Sequence, residues 1–272
     1  MPDMTFLIQT LVSGIGTGFI YGLIGIGFCV IYNASGIVNF AQGMFVMLGG
    51  MLTHALLTRA GLPLPLAALC AVLIVSLVGV AVERLVVRPL WKRNATTFVM
   101  ILATLAAQIV VERLTLMAAG DQPKTFPGFS EAPPLKVGGI AISVQLLWVA
   151  AVSLLLVGAL ALFFARTRTG RAMRACAINR EAAALQGIPV ARMLGFSFAL
   201  SAGLGAIAGI LITPTQYTAF NVGVPFAISG FIAAILGGFG SAFGAGFKNV
   251  AALSILLVFL LARPSGLFGK PH

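Results

Sequence analysis

Charge is what this sequence has least of. Only 8% of its 272 residues are Asp, Glu, Lys or Arg, against about 25% in a typical soluble domain. A water-soluble fold of this length covers its outside with charged side chains, and 6 acids with 17 bases are too few. Soluble enzymes, nucleic-acid-binding domains and disordered chains are excluded on that count. Acids are the scarcer sign, which leaves a net charge of +11. The bases, however, sit in short stretches between apolar runs, the pattern that orients a membrane protein. Cysteine is also scarce. Cys29, Cys70 and Cys176 are an odd number in no secreted-domain spacing, so no disulfide framework is expected. His54 has only His272 to join it in a metal site. No Ser/His/Asp set, metal-spaced cluster or Walker-type loop occurs, so neither catalysis nor a cofactor is expected in this chain.

What is present is apolar sequence: 60% of residues are hydrophobic and the mean hydropathy is +1.07. Runs near 6–32, 38–58, 64–87, 97–118, 143–165, 193–213 and 225–245, with a shorter one near 249–262, approach the roughly 20 residues a membrane helix needs. They are continuously apolar, whereas barrel strands alternate. The N-terminus lacks a basic region and reads as the start of the first span. The sequence therefore predicts an all-α, polytopic transmembrane helix bundle of about seven or eight spans, a single domain over 1–272. A multi-pass protein of a bacterial inner membrane is expected, with lipid as its surroundings and no nucleic acid as partner.

Arg84, Arg88, Lys92 and Arg93 follow the third run, and six arginines lie between the fifth and sixth. The positive-inside rule puts both stretches in the cytoplasm. Loop 119–142 and the N-terminus are then outside. Counting forward, the C-terminus with Arg263 and Lys270 also lands outside if both last runs span. One of them is expected to be re-entrant, or a span to be absent, and the stretch 237–254 is the place for it.

Small residues recur at helical spacing. Gly14, Gly18 and Gly22 share a face, as do Gly205 with Gly209 and Gly240 with Gly244, and such faces allow close helix approach. Gly237, Gly238, Gly240 and Ser241 weaken a helix by about 1 kcal/mol per glycine, so a broken helix is expected there. Asn33, Asn39 and Gln42 bring amides into the second run. Asn39 reads equally as a helix cap or as a cavity residue. Gln108 and Glu112 share a face of the fourth run. Glu112 is expected to pair with Arg113 at the outer interface.

Segment 166–192 is the longest cytoplasmic loop, with a helix predicted over 171–186. Its Glu181-Ala182-Ala183 followed by Gly187 resembles the EAA loop of ABC-transporter permeases. "YGLIGIGFCVIYNASGIVNFAQGMFVMLGGM", "NREAAALQGIPVARMLGFSFALSAGLGAIAGIL", "GFIAAILGGFGSAFGAG" and "ARPSGLFGK" are similar, in order, to signatures of the LivH-type permeases of branched-chain amino-acid importers. The resemblance implies a permease subunit passing a small solute, branched-chain or other amino acids, from a periplasmic binding protein to the cytoplasm. It implies a LivM-like permease or a second copy as partner. It also implies two ATP-binding subunits that hold ATP and Mg. Arg180, Glu181, Ala182, Ala183 and Gly187 would couple to the ATPase, and Asn39, Phe40, Gln42, Gly43, Gly237, Gly238, Gly240 and Ser241 would line the path. The family carries about one more helix before its final span than this sequence has room for. An ion-coupled secondary transporter or channel is the competing reading, and it calls for intramembrane acids or matched repeats.

Overall fold

The structure, a computed structural model, describes residues 2–130, 132–137 and 140–237. The predicted run at 249–262 and the residues Gly238, Gly240, Ser241 and Gly244 lie outside them.

The described residues form a helix bundle. In chain order these are α1 (Pro2–Ser35), α2 (Gln42–Arg59), α3 (Leu64–Val82), a π-helical segment (Glu83–Val87), α4 (Arg88–Lys92) and α5 (Thr97–Ala119), then a hairpin of β1 (Leu135–Val137) with β2 (Ile140–Ile142). They are followed by α6 (Val144–Arg166), α7 (Arg168–Ile178), α8 (Arg180–Leu185), α9 (Val190–Gln216) and α10 (Gly223–Leu236). Five of these rods are long and apolar enough to cross a membrane: α1, α3 continued through α4, α5, α6 and α9. Helix α2 is 18 residues and α10 14 residues. At 1.5 Å per residue α10 is about 21 Å long, short of a hydrocarbon core of about 30 Å.

Helix α9 is the axis of the bundle, and α1, α2 and α3 all pack along it. Its sequence is rich in Gly, Ala and Ser, which lets neighbouring backbones close in where lipid supplies no hydrophobic drive. Gly209 lies against the main chain of Val46, Gly205 against Phe45, and Gly79 of α3 against Phe198 and Ala202. By contrast α5 and α6 are peripheral and turn most of their apolar residues outward.

The ends of the bundle sort as the charge pattern predicts. Gln9 of α1 both donates to and accepts from the backbone of Ala141, at 2.8 and 3.1 Å. Lys124 forms a two-way backbone bridge with Thr218. The start of α1, loop 119–142 and the turn after α9 thus share one end. At the other end Arg88 meets Ala191 and Arg180 meets Gly36.

Three expectations are corrected. The glycine face of the first helix does not pack as a unit: Gly14 is exposed and a Cβ on Gly18 would meet nothing within 4 Å, while Gly25 and Gly27 make close approaches, to α10 and to Gln42. The helix predicted over 171–186 is two helices, because Asn179 (φ −154, ψ 111) interrupts it and caps α8 by accepting from Ala182 N at 3.0 Å. The run expected near 64–87 extends further, as α3, the π segment and α4 in one rod over Leu64–Lys92. Glu83 and Arg88 are five apart, and a π turn brings i and i+5 together, so the rod continues to Lys92 with these side chains paired at 2.8 Å.

Candidate functional site

Between α1 and α2 the chain reverses within six residues. Gly36, at φ +65, closes α1, a conformation that favours glycine. The amide of Ile37 donates to Ser35 Oγ at 3.1 Å. Asn39 Oδ1 then accepts from Ala41 N at 3.2 Å, and Asn39 O accepts from Gln42 N at 3.3 Å. The oxygen of Asn39 therefore shapes the turn ahead of α2, while its Nδ2 is buried with no hydrogen-bond partner. A buried donor left unmatched costs about 1–3 kcal/mol. Phe40 places its ring 6.3 Å from Phe28 and 5.3 Å from Phe231, and its amide donates to Thr104 Oγ1 at 3.3 Å.

Gln42 is fully buried at the meeting of α1, α2 and α9. Its Oε1 accepts from Ser201 Oγ at 2.6 Å, its Nε2 donates to Ser201 O at 3.2 Å, and Ser201 Oγ also lies 2.8 Å from Gly27 O. A Cβ at position 27 would overlap the Gln42 amide. Gly43 packs backbone to backbone on Gly223, the first residue of α10. Gly237 is the buried C-cap of α10 and donates to Ala233 O at 2.9 Å. Of the eight path residues expected from sequence, the described residues hold five. Asn39, Phe40, Gln42 and Gly43 share one turn, and Phe40 also touches the helix that Gly237 ends.

Helix α5 adds polar groups that face this segment. Thr104 and Gln108 are buried, and Gln108 Nε2 donates to Glu112 Oε1 at 3.0 Å while its own Oε1 has no partner. Glu112 is turned inward: a Cβ on Gly223 would lie 3.2 Å from its carboxylate. The expected Glu112–Arg113 pair is not formed: Glu112 accepts from Gln108 and faces Gly223 instead. Neighbouring positions on a helix do not face one another. His54 bonds Thr125 O through Nδ1 at 2.9 Å.

The arginine-rich loop forms the other part of the site. Thr167 caps α7, accepting from Gly170 N at 2.9 Å. Met173 and Cys176 bury one face of α7. Burial pushes the Cys176 thiol up from its ordinary range, and the nearby Arg180 cation opposes that rise; burial also draws Arg180 downward. Ala183 is buried, whereas Glu181, Ala182 and Gly187 are exposed, and Gly187 turns the chain at φ +78. Ile178 and Leu185 are left 68% and 89% exposed, an apolar pair with no cover on this face.

Sequence reasoning missed Ser201, Thr104 and Gly223. Ser201 carried a signal, because it begins the four-residue series that Gly205 and Gly209 continue. Thr104 and Gly223 carried none.

The family described as branched-chain amino acid transport system / permease component matches residues 10–263. The permease protein BraD of the high-affinity branched-chain amino acid transport system of Pseudomonas aeruginosa is 31% identical, over 100% of this chain and 99% of its own length. That alignment runs over 309 positions against 272 residues here, so the relative has segments with no counterpart in this chain. LivH of Escherichia coli, described in the same terms, is 28% identical over 98% of this chain and 97% of its own. A probable LivH of Methanocaldococcus jannaschii is 28% identical over 91% and 88%. No solved structure matches.

Proposed function

The chain belongs to the permease-component family of branched-chain amino acid transport systems, and from that premise we propose how its parts divide the work of moving a solute. It is a multi-pass membrane permease of an amino-acid importer, not an enzyme. Its partners are ATPase subunits, which hold ATP and Mg, and a solute-binding protein on the outer side. A LivM-like permease or a second copy completes the pair in an inner membrane, since one chain offers one coupling loop and two ATPases need two.

The observation that carries the coupling proposal is the α7–α8 surface. It ends in exposed Ile178, Glu181 and Leu185, while its inner side is fixed by Ala183 and by Arg180 against Gly36. A rigid inner face and an uncovered outer face suit a docking element, and Gly187 lets the chain leave it sharply. Pressure on α8 has a short covalent and packed route to the Asn39–Gly43 turn, through Arg180 and Gly36.

The solute path is formed around that turn, with Gly237 at the end of the helix that Phe40 touches; Gly238, Gly240 and Ser241, which lie outside the described residues, are assigned to the path on sequence alone. Unmatched Asn39 Nδ2 and Gln108 Oε1 support this reading: buried amide groups without partners are high in energy until something polar reaches them. Dipoles of this kind give a zwitterion weak, balanced contacts.

Reconstitution of the chain with its ATPase and permease partners in proteoliposomes tests the whole reading. ATP-dependent uptake of a branched-chain amino acid is expected only with all subunits and the binding protein present. Uptake by this chain alone, driven by an ion gradient, would overturn it. Glu181→Lys and Gly187→Trp are expected to lower solute-stimulated ATP hydrolysis while insertion stays normal. Unaltered stimulation in both would return the loop to a plain basic linker.

A further inference from the structure

Helix α5 stands away from α2 and α3 toward the outer end of the bundle and leaves a cleft of about 500 Å³ between the three. Leu48, Leu52, Val78, Val111 and Leu114 form its walls, and Arg59 and Lys124 stand at its mouth. Leu48 and Arg59 are eleven residues apart on α2, so the cleft descends about 16 Å along the helix. One leaflet of hydrocarbon is about 15 Å deep.

Among the described residues, the cations at the mouth have no counter-charge. Arg59 Nη2 donates to Ala118 O at 3.3 Å and so ties α2 to the end of α5. Lys124 engages Thr218 through its backbone only. Neither base has an acid partner among the described residues. Asp121, beyond the end of α5, accepts from Gln122, and Glu112 takes the Gln108 amide and faces Gly223. His54 Nδ1 is held by Thr125 O.

We propose that this cleft is a binding site for an outer-leaflet phospholipid with an anionic headgroup. Its phosphate sits between Arg59 and Lys124, and one acyl chain lies along α2 against Val78 and Val111. Charge complementarity at the mouth and leaflet-matched depth select this occupant. A small zwitterionic solute would leave most of the apolar length empty and find no lining acid for its ammonium group. A bound lipid would wedge α5 against the core and hold Thr104 and Gln108 in place beside the Asn39 turn.

The test uses the full chain with its partner subunits in detergent, followed by native mass spectrometry with added phosphatidylglycerol or phosphatidylcholine. Retained phosphatidylglycerol should fall by about tenfold or more in R59Q/K124Q, the consequence of losing two basic contacts, while phosphatidylcholine retention changes little. Ala55→Trp, which fills the cleft, should lower both. Equal retention of phosphatidylglycerol in the parent and both variants would overturn the site. A photoreactive residue at Leu52 in the otherwise unaltered chain serves as a second arm where a variant fails to fold. Crosslinks to phosphatidylglycerol are expected, and crosslinks solely to the second permease would replace the lipid with a protein interface.

Discussion

Arg180 occupies the space that a side chain on Gly36 would need. A Cβ at position 36 would stand 2.7 Å from a guanidinium nitrogen of Arg180, and Gly36 has φ +65. Two costs therefore meet at one residue: left-handed backbone, about 1–2 kcal/mol for a non-glycine residue, and displacement of a half-buried cation. Gly36→Ala is expected to lower the thermal stability of the purified chain and to reduce recovery of the assembled transporter. In an Arg180→Ala background the steric share vanishes and the backbone share stays. The double variant should be less damaged than the sum of the two single changes. Strict additivity in thermal unfolding would mean that the two residues do not press on each other.

Glu83 is fully buried and holds Arg88 through two bonds of 2.8 and 3.0 Å, while Arg88 reaches on to Ala191 O at 3.1 Å. The pair staples the end of the α3 rod to the first turn of α9, directly after the arginine-rich segment 166–192. Removing one member of a buried pair costs about 3–5 kcal/mol, less here because Arg88 is partly exposed to water. Glu83→Ala is expected to destabilise by about 2 kcal/mol on that discounted scale, and Glu83→Ala with Arg88→Leu by less than Glu83→Ala alone. Denaturation in mild detergent gives the comparison. A double variant as unstable as the sum of both changes would show that the residues act separately.

Gly209 and Gly18 make opposite predictions from the same residue type. A methyl group at 209 would run into the Val46 main chain, whereas one at 18 has nothing within 4 Å. Gly209→Ala should separate α2 from α9 and destabilise, overpacking of this kind costing about 1–3 kcal/mol. Gly18→Ala should be neutral or favourable, since alanine is the better helix former by about 1 kcal/mol. Equal effects on thermal stability would contradict the packing described for α9.

The helices were legible in the sequence because membrane spans announce themselves by length, and the six described runs after α1 start within four residues of the predicted places. The grouping of the bundle's ends was legible in the arginines: the Gln9–Ala141 and Lys124–Thr218 links bring the start of α1, loop 119–142 and the turn after α9 to one end, as the charge pattern implied. Which glycines matter was not legible. Gly14, Gly18 and Gly22 have the spacing of a packing face, but contact is decided by what lies opposite, and α9 and α10 meet α1 at Gly25 and Gly27 instead. The π segment was hidden because Glu83 and Arg88 fall on different faces of a regular α-helix. The site was half legible. Amides at 39 and 42 are conspicuous in an apolar run, whereas Ser201 lies 159 residues from Gln42 in sequence and nothing local joins them.

The alkaline side of the stability profile should report on Cys176. Burial holds its thiol protonated above the ordinary range. A group whose folded pKa is raised contributes stability that is present below the unfolded value and is lost as pH rises through the folded one. Thermal stability of the chain is therefore expected to decline from the ordinary thiol range upward, and Cys176→Ala should flatten that part of the curve. Identical slopes in the two proteins would remove Cys176 as the cause.

Ser201 is the residue on which the polar centre of the bundle depends. Its hydroxyl is within hydrogen-bond reach of both Gln42 Oε1 and Gly27 O, yet a hydroxyl has one proton to give. The shorter contact, 2.6 Å to Gln42, takes it in the resting arrangement, and the Gly27 carbonyl keeps its helical bond. Ser201→Ala leaves Gln42 Oε1 buried without a donor, a penalty of about 1–3 kcal/mol. Gln42→Leu with Ser201→Ala removes both needs and is expected to recover much of that loss in thermal stability. Recovery of stability should not bring back transport if the amide serves the solute. The double variant is then expected to assemble normally and to import poorly. Gln42→Cys, in a chain without the three native cysteines, should be inert to a water-soluble thiol reagent at rest and labelled when ATP and the binding protein are added. Labelling at the same slow rate in every state, together with full transport by the double variant, would make Gln42 and Ser201 a packing device and move the solute path elsewhere.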